Sequence, residues 1–200
     1  MRDVHPIEEE SYRILHSRID TNFLPWLTRA VIERVVHATA DTTWVGDLVA
    51  DEAGLEAGRQ ALLVGAPLVV DSRMVAAGIT TRGSVVALDL PGVLDLAEEA
   101  KITRSAAGIR LAAQQYPDGA VWAIGNAPTA LNELVELTIA GKLRPVLVIG
   151  VPVGFVGSVL AGTRLRAIRL PSLSTRTERG GAAVAAAAIN ALMYYDEDET

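Results

Sequence analysis

Two apolar runs, residues 120–124 and 145–149, each stop at a glycine and restart as new structure within a few residues. That pattern constrains the fold more than any other in the chain. A run so short and so apolar suits a strand buried on both faces. Gly125-Asn126 can take the positive φ of a tight turn, and Pro128 fits the first turn of a helix, where the N–H it lacks would go unpaired anyway. The second run ends in Gly150-Val151-Pro152-Val153-Gly154-Phe155-Val156-Gly157, again without a charge. Two such strand-to-helix turns close together predict adjacent parallel strands whose C-terminal ends share one floor, and a ligand is expected there.

The rest of the chain alternates strand and helix at spacings too long for hairpins. Helices are expected over residues 6–15, with acidic Glu8-Glu9-Glu10 in the first turn, and over 24–40, where Leu27, Ala30, Val31, Val35 and Ala38 share a face. A third amphipathic helix over 51–65 leads to a strand at 66–71 that ends in an acid; 72–78 reads as a brief helix and 84–88 as a strand. Helices follow over 91–100, 103–115 and 128–140. Beyond the glycine-rich turn come a weaker strand at 167–170, a loop over 172–177, and an alanine-rich helix over 182–194 that Arg179-Gly180-Gly181 opens. This order predicts a single α/β domain of three layers, with helices on both faces of a mainly parallel sheet. The N-terminal helices occupy about residues 7–40, and a flexible acidic tail is expected over about 195–200.

Composition closes off several functions. Only 4% of the residues are aromatic, which gives no stacking platform for bases, and a net charge of −6 without a basic stripe argues against nucleic acid as a partner. With no cysteine there is no disulfide, thiolate nucleophile or zinc knuckle, and three histidines argue against an all-protein transition-metal site. No metal and no cofactor are therefore expected. Residues 145–163 carry no charge and approach the length of a membrane span, but two prolines and four glycines divide them into strand, turn and helix. The first residues are charged and meet Pro6 rather than an apolar leader, so the expected location is the cytoplasm.

Two common chemistries fail on motif. No Gly-x-x-x-x-Gly-Lys-Ser/Thr loop or dinucleotide fingerprint occurs, and no Gly-x-Ser-x-Gly elbow. His37 is the histidine placed where a helix meets a loop within a packed region. Glu33 and Arg34 lie one turn before it and Asp41 one turn after, so its affinity for a proton can be tuned either way. His5 and His16 match no motif.

The combination of Gly125-Asn126-Ala127-Pro128-Thr129-Ala130-Leu131, the 150–157 turn, His37-Ala38-Thr39 and Arg179-Gly180-Gly181 resembles the precorrin-8X methylmutase family of cobalamin biosynthesis, in the family's order and over residues 7–192. The resemblance implies a flavodoxin-like fold and a homodimer with a tetrapyrrole bound near the subunit interface. It implies a methyl migration on ring C of precorrin-8X or cobalt-precorrin-8, giving hydrogenobyrinate or its cobalt counterpart, with His37 as the catalytic proton donor and acceptor. Ser11 and Arg104 match the family's substrate-contacting serine and arginine. Gly125, Asn126, Thr129 and Gly154 would meet the substrate at the two turns, where backbone N–H groups at helix starts can hold carboxylates. Met74, Val75, Val153 and Phe155 are the apolar candidates beneath the ring, and Gly150, Gly154 and Gly157 would let it approach. Leu160-Ala161-Gly162 stands where the family usually carries Glu-Ser-Lys. A corrinoid-binding carrier of the same fold, without turnover, is the alternative.

Overall fold

The computed structural model describes residues 5–194, so the tail expected over about 195–200 lies outside the described residues. The elements run α1 (Pro6–Arg18), α2 (Trp26–Thr39), α3 (Trp44–Asp47), β1 (Leu48–Ala50), α4 (Glu52–Leu63), β2 (Leu68–Val70), α5 (Arg73–Gly78), β3 (Val85–Val86), α6 (Val93–Ala100), α7 (Arg104–Gln115), β4 (Val121–Ile124), α8 (Pro128–Ile139), β5 (Leu147–Gly150), α9 (Ser158–Ala167), β6 (Ser172–Thr175) and α10 (Ala182–Tyr194). The six strands form one sheet in the order β1-β6-β5-β4-β2-β3. Every neighbouring pair is parallel except the antiparallel edge pair β1 and β6.

Alternation along the central strands builds both halves of the core. Val121 and Ala123 of β4 point into the layer of α2, α4, α5 and α10, whereas Trp122 and Ile124 point into the layer of α7, α8 and α9. Both faces are covered, so β2, β4 and β5 have no polar side. This is why their sequences read as continuous apolar runs.

Three segments differ from the sequence reading. The strand expected at 167–170 is instead the end of α9 and a turn in which Arg169 takes a φ of 55°. The strand is β6, in the stretch read as a loop. Its polar residues survive burial because β5 and β1 satisfy its backbone from both sides and Arg166 Nη1 donates to Ser174 Oγ at 2.9 Å. The strand expected over 84–88 shrinks to Val85–Val86 and passes into a 3-10 turn at Ala87–Asp89. Finally, α3 and β1 have no counterpart in the reading; they are too short to show a period, and β1 exists as the cap on the β6 edge. Ala38, assigned to the buried face of α2, is exposed.

The topology marks one end of the sheet. From β2 the chain steps outward to β3, then returns to the other side of β2 as β4. α5 leaves β2 toward one face and α8 leaves β4 toward the other, so a crevice opens between the two strand ends. α2 reaches the same rim. It stops at Ala40, whose φ is 54°, and Asp41 just beyond pairs with Arg179 in the segment between β6 and α10. The glycine-rich loop after β5 joins that segment too, as the Gly154 N–H donates to the Glu178 carbonyl at 3.0 Å.

Candidate active site

His37 occupies the last turn of α2, where α1 packs across it. Its Nδ1 shares a 2.8 Å hydrogen bond with Ser11 Oγ of α1, and the Tyr12 ring stacks on the imidazole with centroids 5.1 Å apart and planes within 7°. Nε2 has no hydrogen bond among the described residues. Burial, and then the positive charge of Arg34, pull the His37 pKa below its ordinary value against an opposing pull from Glu8. The two acids next to it in sequence do not compete, because both are engaged elsewhere. Glu33 accepts from Thr21 and pairs with Arg29 and His16, and Asp41 pairs with Arg179. His16 thus serves Glu33, and His5 caps α1 by accepting the Ile7 N–H.

Beside the imidazole lies a cavity of about 310 Å³ lined mainly by Ile7, Ser11, Ile14, Val36, His37 and Thr42. That volume is at the bottom of the range of about 300–1,000 Å³ usual for ligand pockets, enough for one edge of a macrocycle.

A second cavity, of about 720 Å³, lies at the switch-point crevice between the ends of β2 and β4. Met74, Arg104 and Asn126 line it together with Arg73, Leu90 and Leu94. Thr103 caps α7 by accepting the Ala106 N–H, which sets Arg104 at the first helical position. Arg104 is exposed and makes no ion pair or hydrogen bond among the described residues, whereas Arg73 is held by Asp89 at 2.9 Å. Asn126 is oriented by Ser72, whose hydroxyl donates to Asn126 Oδ1 at 2.8 Å, and its amide reaches Met74 Sδ at 3.6 Å. Thr129 is committed to a brace between helices, a 2.8 Å hydrogen bond to Thr103 Oγ1.

The turn after β4 does not offer its backbone to a substrate. The Asp71 carboxylate, 1% exposed at the end of β2, accepts the N–H groups of Gly125, Asn126 and Ala127 at 3.1, 2.8 and 2.9 Å. An internal anion fills the place proposed for a substrate carboxylate. Burial raises the Asp71 pKa although the three N–H donors oppose it. Gly125 itself is a packing position: a Cβ there would sit 2.9 Å from both Val75 and Ala185. Val75, expected beneath the ring, is wholly buried behind that glycine. Gly150 likewise makes room for Leu165 and Leu131 rather than for a ligand.

The loop after β5 is open to solvent. Gly154 and Gly157 adopt φ of 149° and 86°, and between them Phe155 and Val156 are 96% and 89% exposed, flanked by exposed Val153 and Leu160. Ala161 and Gly162 face inward, where a Cβ on Gly162 would lie 3.2 Å from the Thr175 carbonyl. A side chain at 162 would need its neighbours on β6 to give by a few tenths of an ångström.

Within one chain, then, the expected residues fall into two groups, His37 with Ser11 and Arg104 with Met74 and Asn126, rather than into one hollow walled by the two turns. Sequence reasoning missed Asp71, Tyr12 and the Glu8–Arg34 pair. An acid ending a buried strand was a usable signal for the first; the others depend on how α1 lies across α2, which no local pattern encodes. No group of histidines, aspartates and glutamates among the described residues is placed to hold a metal ion. No helix among them is long and apolar enough to cross a membrane.

Comparison with known proteins gives this geometry a context. The precorrin-8X methylmutase family model matches residues 6–195. A cobalt-precorrin-8 methylmutase of Methanocaldococcus jannaschii is 40% identical over 84% of this chain and 80% of its own length. A precorrin-8X methylmutase of Pseudomonas aeruginosa is 36% identical over 96% of both chains. Among solved structures, a precorrin-8X methylmutase from Thermus thermophilus superposes with a TM-score of 0.85 at 35% identity, covering 94% of this chain and 96% of its own.

Proposed function

The chain belongs to the precorrin-8X methylmutase family, and from that premise we propose how its own geometry serves the reaction. The protein is an isomerase that moves a methyl group within a corrin precursor. We assign the proton work to His37, and the observation that carries the assignment is an imidazole held at Nδ1 and across its ring face while Nε2 stays unbonded beside a cavity.

The reaction needs neither a nucleophile nor a change of oxidation state. In the imidazolium form, Nδ1–H donates to Ser11 Oγ and Nε2–H to a nitrogen of the macrocycle. Protonation there draws electron density toward the migration terminus. The methyl group shifts with its bonding pair from the α carbon of ring C to the neighbouring β carbon, and the proton returns to Nε2 as the conjugated system is re-established. No atom is gained or lost. A lowered pKa makes the imidazolium a strong donor, and the carboxylates around the substrate rim favour its protonation as they approach. Arg104, whose planar fork matches a carboxylate, is assigned to that rim, with Asn126 and Met74 beside it.

A homodimer in the cytoplasm belongs to the same proposal. The cavity at His37 holds only part of a tetrapyrrole, and the exposed Val153, Phe155, Val156 and Leu160 form an apolar surface suited to a seam at which a second copy and the ring meet. The carrier alternative is not favoured, since relatives aligned over most of the chain are methylmutases.

Anaerobic incubation of the purified protein with precorrin-8X, followed by absorption spectroscopy, tests the reading. The expected result is conversion to the rearranged chromophore without added cofactor. A spectrum showing bound but unchanged substrate would favour the carrier instead.

A further inference from the structure

The cavity beside His37 is bordered by a set of side chains whose purpose the reaction itself does not explain. Arg34 lies on α2 one turn before His37 and donates from Nη1 to Glu8 of α1 at 2.7 Å. Its guanidinium also faces the hydroxyl of Tyr12, the residue whose ring lies flat on the imidazole, closely enough for its charge to act on that hydroxyl, and it sits 5.8 Å from the centre of the Tyr194 ring at the end of α10. Three helices therefore converge on one half-buried cation. An arginine placed only to pin α1 onto α2 would need Glu8 alone; the same guanidinium, facing the Tyr12 hydroxyl, carries the restraint on to the imidazole's stacking partner.

We propose that Arg34 is a positioning residue for His37: fixed by Glu8, it holds the Tyr12 ring against the imidazole, so that the ring keeps one orientation and Nε2 is presented to the cavity. This rests on the reading of His37 as the proton donor. The geometry confines the imidazole from two sides, with Ser11 gripping Nδ1 in the ring plane and Tyr12 covering one face, and Arg34 anchors the second of these.

Charge acts alongside position. On α1 the groups near the imidazole or its neighbours are Glu8, Glu10, Tyr12, His16 and Arg18; on α2 they are Glu33 and Arg34, with Asp41 just beyond its end; on α10 it is Tyr194, against Arg34. Glu10 is bound to Arg13, Glu33 to Arg29 and His16, and Asp41 to Arg179. After burial, Arg34 and Glu8 are the charges that act on the His37 proton, Arg34 lowering its affinity and Glu8 raising it. The Tyr12 hydroxyl stays protonated, since burial pushes its pKa up. One ion pair thus applies opposite pulls to the same imidazole, and removing either partner moves it in a different direction.

The experiment is an NMR titration of the His37 imidazole in the substrate-free protein, paired with the pH dependence of kcat for precorrin-8X. Arg34→Met should raise the titration midpoint and shift the inflection of the rate profile with it. It should also lower kcat about tenfold through the loosened ring while moving KM less than about twofold. Glu8→Gln, at the other partner of the same pair, should lower the midpoint, and it serves as the second variant if Arg34→Met folds poorly. Arg34→Lys should restore the midpoint more fully than kcat, because it returns the charge without the planar fork that pairs with Glu8 while facing Tyr12. Midpoints unchanged in both Arg34→Met and Glu8→Gln, or kcat unchanged in Arg34→Met, would overturn the assignment and leave the role of His37 intact. Midpoints that move while the rate profile stays fixed would overturn the role of His37 and the assignment with it.

Discussion

The end of α2 and the turn after β4 lie on the same rim of the sheet and treat charge in opposite ways. At the turn, one buried carboxylate, Asp71, takes up all three backbone N–H groups that could have met a ligand. At the end of α2 the charged neighbours of His37 are paired off one by one, to Arg34, Arg29 and Arg179, and among the described residues the imidazole is left with one nitrogen unbonded. Satisfied polar groups fix a shape, whereas a single unsatisfied nitrogen in a fixed shape is available for chemistry. The glycine turn, conspicuous in sequence, is scaffold, and the proton work is proposed for the less conspicuous helix end.

Asp71→Ala should produce the largest change. It strands three backbone donors, that of Gly125 buried and those of Asn126 and Ala127 half-buried, at about 1–3 kcal/mol for each one left unsatisfied, so a loss of about 3 kcal/mol is expected in urea-induced unfolding. A loss below about 1 kcal/mol would mean that the turn does not depend on its internal anion. Arg104→Ala is next. Losing one charge-assisted pair worth about 1.5–3 kcal/mol should raise KM about 10- to 100-fold, with stability nearly untouched because Arg104 holds nothing in the fold. Ser11→Ala should cost kcat about five- to tenfold, the equivalent of one hydrogen bond of about 1 kcal/mol.

The smallest effect lies in the pH dependence of stability, and there the two regions differ in sign. The His37 pKa is lowered on folding, so below about 6.5 the unfolded chain takes the proton first; stability is full above that value and declines as pH falls through it toward the folded pKa. The Asp71 pKa is raised, so its contribution is full below the ordinary 3.8 and declines as pH rises through the folded pKa. Unfolding curves of His37→Ala and Asp71→Asn across pH should each lose one of these opposing slopes. Slopes of the same sign would show that the two sites are not electrostatic opposites.

Much of the scaffold was legible in the sequence because its strands are buried on both faces and its turns are made by glycine and proline. The runs ending at Ile124 and Ile149 became neighbouring parallel strands, β4 and β5, each leading into a helix. What hid was tertiary in origin. β6 is Ser-Leu-Ser-Thr, polar in composition, and becomes a strand because two neighbours and Arg166 satisfy it. Val75 looked like ring-contacting surface and proved to be the wall behind Gly125. At the site, family resemblance points to His37 and to Ser11 separately, the serine as a substrate contact; the hydrogen bond that joins them spans 26 residues of sequence and was not legible there. Tyr12 and Arg34 carry no motif. Their role arises where α1 crosses α2, a relation set by packing and not by any short pattern.

The account stands on the imidazole of His37 as the group that lends the proton. The most direct measurement is a single turnover of His37→Ala with precorrin-8X bound at saturation, monitored by the chromophore's absorption. Substrate should bind with little loss of affinity, and the rearrangement should slow by about 100-fold or more, the scale of a lost general acid. Rearrangement at the rate of the unaltered protein would contradict the account.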